Sequence, residues 1–202
     1  MSLSIDFTHP KLCYRLTHGG GKSQMIAKAC GLQQLKSPRI IDACAGFGTD
    51  GLVLASLGAE VIMMERNPLV FEALSSAYTQ ALSHPLVGPI LTRVTLLSGD
   101  AQTLIPHYPA DIIYLDPMFP PSAKSALHQK NLQILHDIVG FDDDGSNVLS
   151  VAIPHATYRT VVKRPRLAPA LLATTQPDCI FSGKANRFDV YVNRSIHHRY
   201  TS

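Results

Sequence analysis

No stretch of the sequence approaches the roughly 18 uncharged apolar residues of a membrane helix, so no membrane span is expected. The opening M-S-L-S-I-D-F-T-H-P lacks the basic start and apolar core of a secretory signal, and a cytoplasmic protein is expected. Metal-ligand spacing is missing too. Cys13, Cys30, Cys44 and Cys179 form no C-x-x-C pair, and the nine histidines include no H-E-x-x-H. No metal site is therefore expected, and the cysteines read as reduced, mostly buried thiols. A P-loop is excluded as well. His18-Gly19-Gly20-Gly21-Lys22-Ser23 ends like one, but Leu16 stands where the first glycine of G-x-x-x-x-G-K-[ST] belongs.

What remains is a chain of 202 residues, 46 % hydrophobic and 16 % charged, enough for one substantial core. The net charge of +3 is unevenly spread. Residues 158–202 carry eight basic and two acidic side chains, a balance of +6, and the rest of the chain balances at −3. A basic end on a near-neutral body suits either an anionic partner such as nucleic acid or an ordinary solvated face.

The chain is organised around residues 39–51, R-I-I-D-A-C-A-G-F-G-T-D-G. Apolar residues and Asp42 run into a turn at Gly46 and Gly48, and a helical pattern follows. Before it, residues 1–22 read as irregular, with a short helix over 23–30, Ser23 as its cap and Gly31 as its stop. After it come a helix over 50–57, a strand over 60–65, a helix over 69–82 behind Asn67-Pro68, and a loop over 85–89. Strands over 93–97 and 111–115, a helix over 127–139 and a further helix near Val148 complete the alternation. A fifth strand spans 158–163, and two last strands, 179–181 and 188–192, flank a short turn. The first five strands alternate with helices, which predicts a doubly wound parallel sheet. The last two are too closely linked for a crossover and must be antiparallel. A seven-stranded, mostly parallel sheet closing in an antiparallel hairpin resembles the Rossmann-like class I S-adenosylmethionine-dependent methyltransferases.

Four strands end in an acid or reach one soon after: Asp42, Glu65, Asp100 and Asp116. Converging acids on the ligand-binding edge point to a site, because unpaired carboxylates there repel and lose solvation. Gly46 to Gly51 spells G-x-G-x-x-G, so a dinucleotide oxidoreductase is one alternative. A pyrophosphate would want donors and no anions, whereas Asp42 and Asp50 flank this turn and suit the cationic S-adenosylmethionine. Glu65 suits a ribose, and Asp100 an adenine amino group. Asp116-Pro117-Met118-Phe119-Pro120 resembles the D/N-P-P-Y/F motif of methyltransferases that modify exocyclic amines of nucleobases. Such an amine is a poor nucleophile, since its lone pair is delocalised into the ring. Asp116 and a backbone carbonyl, that of Pro117, can accept its two N–H bonds and localise the pair. Phe119 can stack on a base that has left its helix.

D-A-C-A-G-F-G-T-D-G-L-V-L-A-S-L-G, M-M-E-R-N-P, Y-L-D-P-M-F-P-P-S-A-K-S-A-L, V-V-K-R-P and R-F-D-V-Y together resemble the bacterial ribosomal RNA small subunit methyltransferase J family. The resemblance implies transfer of a methyl from S-adenosylmethionine to N2 of a guanosine in 16S rRNA, leaving S-adenosylhomocysteine. It implies that Thr49-Asp50, Glu65-Arg66, Asp100-Ala101 and Asp116 contact the cofactor or its edge. It divides the chain into an N-terminal segment, 1–36, and a methyltransferase domain, 37–202. Relative to that family the segment before the glycine triplet is short, so a trimmed N-terminus is expected. Lys124, Lys163, Arg164, Arg166, Lys184 and Arg187 are the candidate contacts to RNA phosphates. A monomer is expected. An amino-methyltransferase for adenine or cytosine of DNA or RNA stays open from the sequence, as does a non-catalytic RNA-binding module.

Overall fold

A computed structural model describes residues 3–117 and 144–196. Seven strands form one sheet: β1 (Arg39–Asp42), β2 (Glu60–Glu65), β3 (Val94–Ser98), β4 (Ala110–Leu115), β5 (Ala156–Pro165), β6 (Cys179–Ser182) and β7 (Asn186–Val192). Their order is β3-β2-β1-β4-β5-β7-β6. The first five are parallel, and β7 runs antiparallel between β5 and β6. The expected doubly wound sheet is present. The hairpin is antiparallel as its short turn requires, but its second strand, not its first, joins the parallel part.

Side chains alternate across each strand, and both faces are covered, so the strands read as continuous apolar runs. Ile40, Val61, Met63, Ile112, Tyr114, Val161 and Val190 face one core. Ile41, Met64, Ile113, Leu115, Val162 and Tyr191 face the other. The first core is roofed by helices α1 (Pro10–His18), α2 (Met25–Ala29), α3 (Thr49–Ser56), α4 (Pro68–Ala81) and α5 (Val87–Leu91). The second is roofed by α6 (Ala101–Leu104) and α7 (Gly145–His155).

Local chemistry explains most boundaries. Asn67 caps α4 through Oδ1, accepting from the N–H groups of Leu69 at 3.0 Å and Val70 at 3.3 Å, with Pro68 in the first turn. Gly31 and Gly58 hold positive φ of 68° and 99° after α2 and α3. Three expectations need correction. Residues 1–22 are not irregular: α1 occupies Pro10–His18, with proline in its first turn and Leu12 buried. The expected loop at 85–89 contains the start of α5, because His84 Nδ1 accepts from the N–H groups of Leu86 and Val87 and sets the turn. The short helix expected from Ser23 starts at Met25, after a single 3-10 turn. The helix expected over 127–139 lies outside the described residues. No described helix is long and apolar enough to cross a membrane.

The N-terminal segment is part of the first core. Phe7, Leu12, Ile26, Ala27, Ala29, Cys30 and Leu32 are buried in it. Among the cysteines only Cys30 is fully buried; Cys13 and Cys44 are half-buried and Cys179 is exposed. The sheet order reverses between β1 and β4: from β1 the chain proceeds outward to β2 and β3, and β4 lies on the opposite side. Such a switch opens a crevice beyond the carboxyl ends of the two strands.

Candidate active site

The β1 turn forms one wall of that crevice. Gly46 and Gly48 have φ of 50° and 69°, a region costly for other residues. A Cβ on Gly48 would come within 2.8 Å of Leu74 Cδ1 and 3.1 Å of Phe7 Cζ, whereas one on Gly46 would meet no atom of the described residues within 4 Å. Gly48 is thus required by packing, and Gly46 is not. Glu65, at the tip of β2, braces the turn. Its Oε2 accepts from the Gly46 N–H at 3.0 Å and its Oε1 from the Asn67 N–H at 2.8 Å.

Below the turn lies a chain of charges. Arg15 of α1 donates from Nη2 to Asp50 Oδ1 at 2.8 Å. Asp50 Oδ2 accepts from Lys163 Nζ and from the Tyr114 hydroxyl, each at 2.8 Å. Lys163 Nζ also donates to Asp116 Oδ2 at 2.7 Å. The β4–β5 register brings this about: Val162 pairs with Leu115, which sets Lys163 beside Asp116. Burial works to raise the Asp50 carboxyl, but the Lys163 and Arg15 cations outweigh it and hold it at about 2. Burial works to lower Lys163, and the Asp116 and Asp50 carboxylates outweigh that and raise it. Burial raises Asp116 above its ordinary value, and the Asp50 charge adds to this against the pull of Lys163.

Asp42 differs. It is buried, and its Oδ1 has no hydrogen-bond partner among the described residues. Burial, with the charges of Asp50 and Asp116, pushes it up to about 8. It is therefore a neutral acid at pH 7, as an incompletely paired buried carboxyl should be.

The structure brings most sequence-predicted residues to one edge. Asp42, Gly46, Gly48, Thr49, Asp50, Glu65, Arg66, Asp116 and Pro117 lie at or just past the ends of β1, β2 and β4. Asp100 follows β3 and caps α6, its Oδ1 accepting from the Gln102 N–H at 2.8 Å; Ala101 is buried beside it. The Gly99 N–H donates to the Glu65 carbonyl at 3.0 Å, which keeps this loop next to the glycine turn. Arg66 pairs with Asp144 at 2.6 Å. Phe119 and Lys124 lie outside the described residues.

The charges of Asp42 and Asp50 are drawn inward in this structure: Asp50 is paired with Arg15 and Lys163, and burial raises Asp42 above its ordinary value. Three basic residues read as phosphate contacts are likewise engaged inside the protein. Lys163 is held by two carboxylates. Arg164 is 5 % exposed and donates from Nε and Nη2 to the Pro169 carbonyl. Arg187 pairs with Asp189 through Nε and Nη2 and donates to the carbonyls of Arg166 and Ala168. Arg166 and Lys184 are exposed. The Arg166 N–H bonds the Ala185 carbonyl at 3.0 Å, which brings Arg166 next to the turn that carries Lys184.

Sequence reasoning missed Arg15, Tyr114 and Asp144. Tyr114 carried a signal: a polar-tipped residue in an apolar strand, two before Asp116 and hence on its face. Arg15 and Asp144 carried none, since their partners lie 35 and 78 residues away.

The chain as a whole resembles known proteins. A family model described as "Putative SAM-dependent methyltransferase" matches residues 1–193. Ribosomal RNA small subunit methyltransferase J of Dechloromonas aromatica is 43 % identical over 197 residues, 96 % of this chain and 80 % of that protein. Its counterpart in Marinobacter nauticus is 42 % identical over 195 residues, 95 % of this chain and 70 % of that one. A crystal structure of a SAM-dependent methyltransferase from Neisseria gonorrhoeae superposes with a TM-score of 0.73 at 35 % identity, covering 94 % of this chain and 74 % of that one. These matches disfavour the oxidoreductase alternative. With its glycine turn, its acid-tipped strands and this kinship, the chain belongs to the ribosomal RNA small subunit methyltransferase J family of S-adenosylmethionine-dependent methyltransferases.

Proposed function

We propose that this protein transfers a methyl from S-adenosylmethionine to the exocyclic N2 of a guanosine in 16S rRNA. The carrying observation is that Asp116-Pro117 and the glycine turn leave adjacent strands, β4 and β1, at the switch point of the sheet, where Asp42 pairs with Tyr114. The residues fit the methyl donor. Gly46 has no described side chain against it, and the Glu65 carboxylate at the tip of β2, held by the Gly46 and Asn67 N–H groups, stands where a ribose would lie. Thr49, Arg66, Asp100 and Ala101 surround the same turn, while Asp50 acts from beneath. When bound, S-adenosylmethionine supplies a methyl made electrophilic by its sulfonium.

The protein's own part is to present the amine. Asp116 and the Pro117 carbonyl accept its two N–H bonds, so the nitrogen lone pair points at the methyl. S-adenosylmethionine would supply the methyl to that nitrogen, and Asp116 or water would take the proton that the amine gives up. Gly145 packs on Pro117, where a Cβ would come within 3.2 Å of Pro117 Cβ, so the start of α7 steadies the motif. Phe119 stacks on the extruded base in this reading. Arg166 and Lys184 hold RNA phosphates, and Lys124 remains a candidate. The protein works as a cytoplasmic monomer on residues 37–202, with the N-terminal segment completing the core.

Labelled-methyl transfer tests this, with 30S subunits and naked 16S rRNA from cells lacking the modification as substrates. Transfer to guanine N2 is expected, and Asp116→Ala should abolish it. Near-normal turnover by that variant, or label on an adenine or cytosine, would overturn the proposal.

A further inference from the structure

At the end of β5, Val161-Val162-Lys163-Arg164-Pro165 places a lysine on the ligand edge of the sheet, where sequence alone makes it a phosphate contact. Its surroundings differ from those of a phosphate-binding lysine. The side chain is 23 % exposed, and its ammonium lies 2.8 Å from Asp50 Oδ2 and 2.7 Å from Asp116 Oδ2. Two of its three N–H donors are thus matched by carboxylates. Asp50 is itself immobilised. Its other oxygen takes Arg15, and the Tyr114 hydroxyl shares the oxygen that Lys163 uses. Asp116, at the far end, has a side chain 36 % exposed and sits at the mouth of the crevice. The order Arg15, Asp50, Lys163, Asp116 alternates in sign and ties α1 to α3, then to β5, then to the end of β4.

We propose that Lys163 is a positioning residue for Asp116, fixing its carboxylate in the orientation and ionised form that receives the guanine amine, and that Arg15 supports it through Asp50. This rests on the reading of Asp116 as the amine acceptor. Only an ionised carboxylate offers the amine acceptor lone pairs on both oxygens; a protonated one presents a donor on one of them. Among the described residues, the titratable groups around Asp116 are Lys163 from β5, Asp50 from α3, Asp42 from β1, Arg15 from α1, and Tyr114 on β4 itself. Lys163 is the cation among them that touches it. Without it, Asp116 faces the Asp50 carboxylate with no intervening charge, and like charges at short range drive proton uptake.

The test compares Lys163→Met, Lys163→Arg, Arg15→Ala, Arg15→Lys, Asp116→Asn and Asp116→Ala. In single-turnover methyl transfer, the acidic limb of the pH–rate profile should move up by about 1–3 units in Lys163→Met, the usual effect of losing an adjacent opposite charge. Arg15→Ala should move it the same way by less, and Lys163→Arg and Arg15→Lys should restore most of it. Carboxyl 13C NMR of the protein without RNA or methyl donor should show the Asp116 resonance titrating higher in Lys163→Met. RNA affinity and its salt slope should stay within about twofold, because the number of protein–phosphate pairs is unchanged. An unmoved profile and an unmoved Asp116 resonance, with a flattened salt slope, would overturn the proposal and return Lys163 to RNA binding. If Lys163→Met does not fold, the two Arg15 variants decide: an Asp116 resonance unmoved in Arg15→Ala refutes the relay. Asp116→Asn keeps an acceptor oxygen without the charge, so full activity in it refutes the need for the ionised form. Asp116→Ala removes the acceptor: full activity there refutes the acceptor reading, whereas an inactive Asp116→Ala beside an unmoved Lys163 or Arg15 profile refutes only the positioning role.

Discussion

Lys163 and Arg166 lie three residues apart at the same end of β5, and both are basic. Lys163 turns into the sheet edge and is neutralised by Asp50 and Asp116, while Arg166 stands exposed beside Lys184. The inner region is a closed set of alternating charges in which each member depends on its neighbours. The outer rim is a pair of solvated cations with charge to spare for a polyanion. A run of basic residues thus serves two ends, and the partner of each side chain separates them. Arg164 and Arg187 belong with the inner group. They spend their donors on the Pro169, Arg166 and Ala168 carbonyls and on Asp189, and so hold the loop after β5 against the sheet.

Breaking the inner set should produce the largest effect on stability. Asp50→Asn removes the anion shared by Arg15 and Lys163, leaves Lys163 with Asp116 as its one carboxylate among the described residues, and should cost about 3 kcal/mol, read by urea denaturation. A loss below about 1 kcal/mol would mean that the inner set behaves like a surface ion pair.

Asp42 gives a second contrast, this time within the buried group. Its folded-state value of about 8 lies above its ordinary value of about 3.9, so the folded form binds the extra proton between those limits. Below that window Asp42 is protonated in both states and has no effect. As pH rises through it, the unfolded chain ionises first, and the folded state loses up to about 1.4 kcal/mol per pH unit. Asp42→Asn should remove this slope between about pH 4 and pH 8, measured as melting temperature against pH. Asp50 has the opposite sign. Held at about 2, its contribution is present at neutral pH and fades only as pH falls from about 4 toward 2.

The rim should give the smallest effect. Arg166→Ala with Lys184→Ala should leave the turnover of bound RNA unchanged and weaken binding. The salt slope, log Kd against log salt, should flatten by about one for each phosphate that loses its cation. An unchanged slope would show that the rim is only a solvated face.

Much of the fold was legible. Ile40-Ile41, Glu60 to Glu65 and Asp111 to Leu115 read as strands because a parallel sheet buried on both faces needs unbroken apolar runs. Asn67-Pro68 announced α4 through its capping chemistry. Helix α1 was not legible, because Leu12 is its only fully buried residue and its partners lie across the first core. The insertion of β7 between β5 and β6 was hidden too. A short turn dictates antiparallel pairing but not which strand of the hairpin meets the rest of the sheet.

The site divides in the same way. By itself the sequence determined the glycine turn, the acids that end β1, β2 and β4, and Asp116-Pro117, because backbone conformation and strand-end position are local consequences of residue type. Only the tertiary structure decided what those charges do. Asp42 became a neutral acid, Asp50 an internal anion, and Lys163 a bridge between carboxylates from segments 113 and 47 residues away. The physical reason is that a charged group's state depends on the solvent it loses and the partners it gains, and folding sets both.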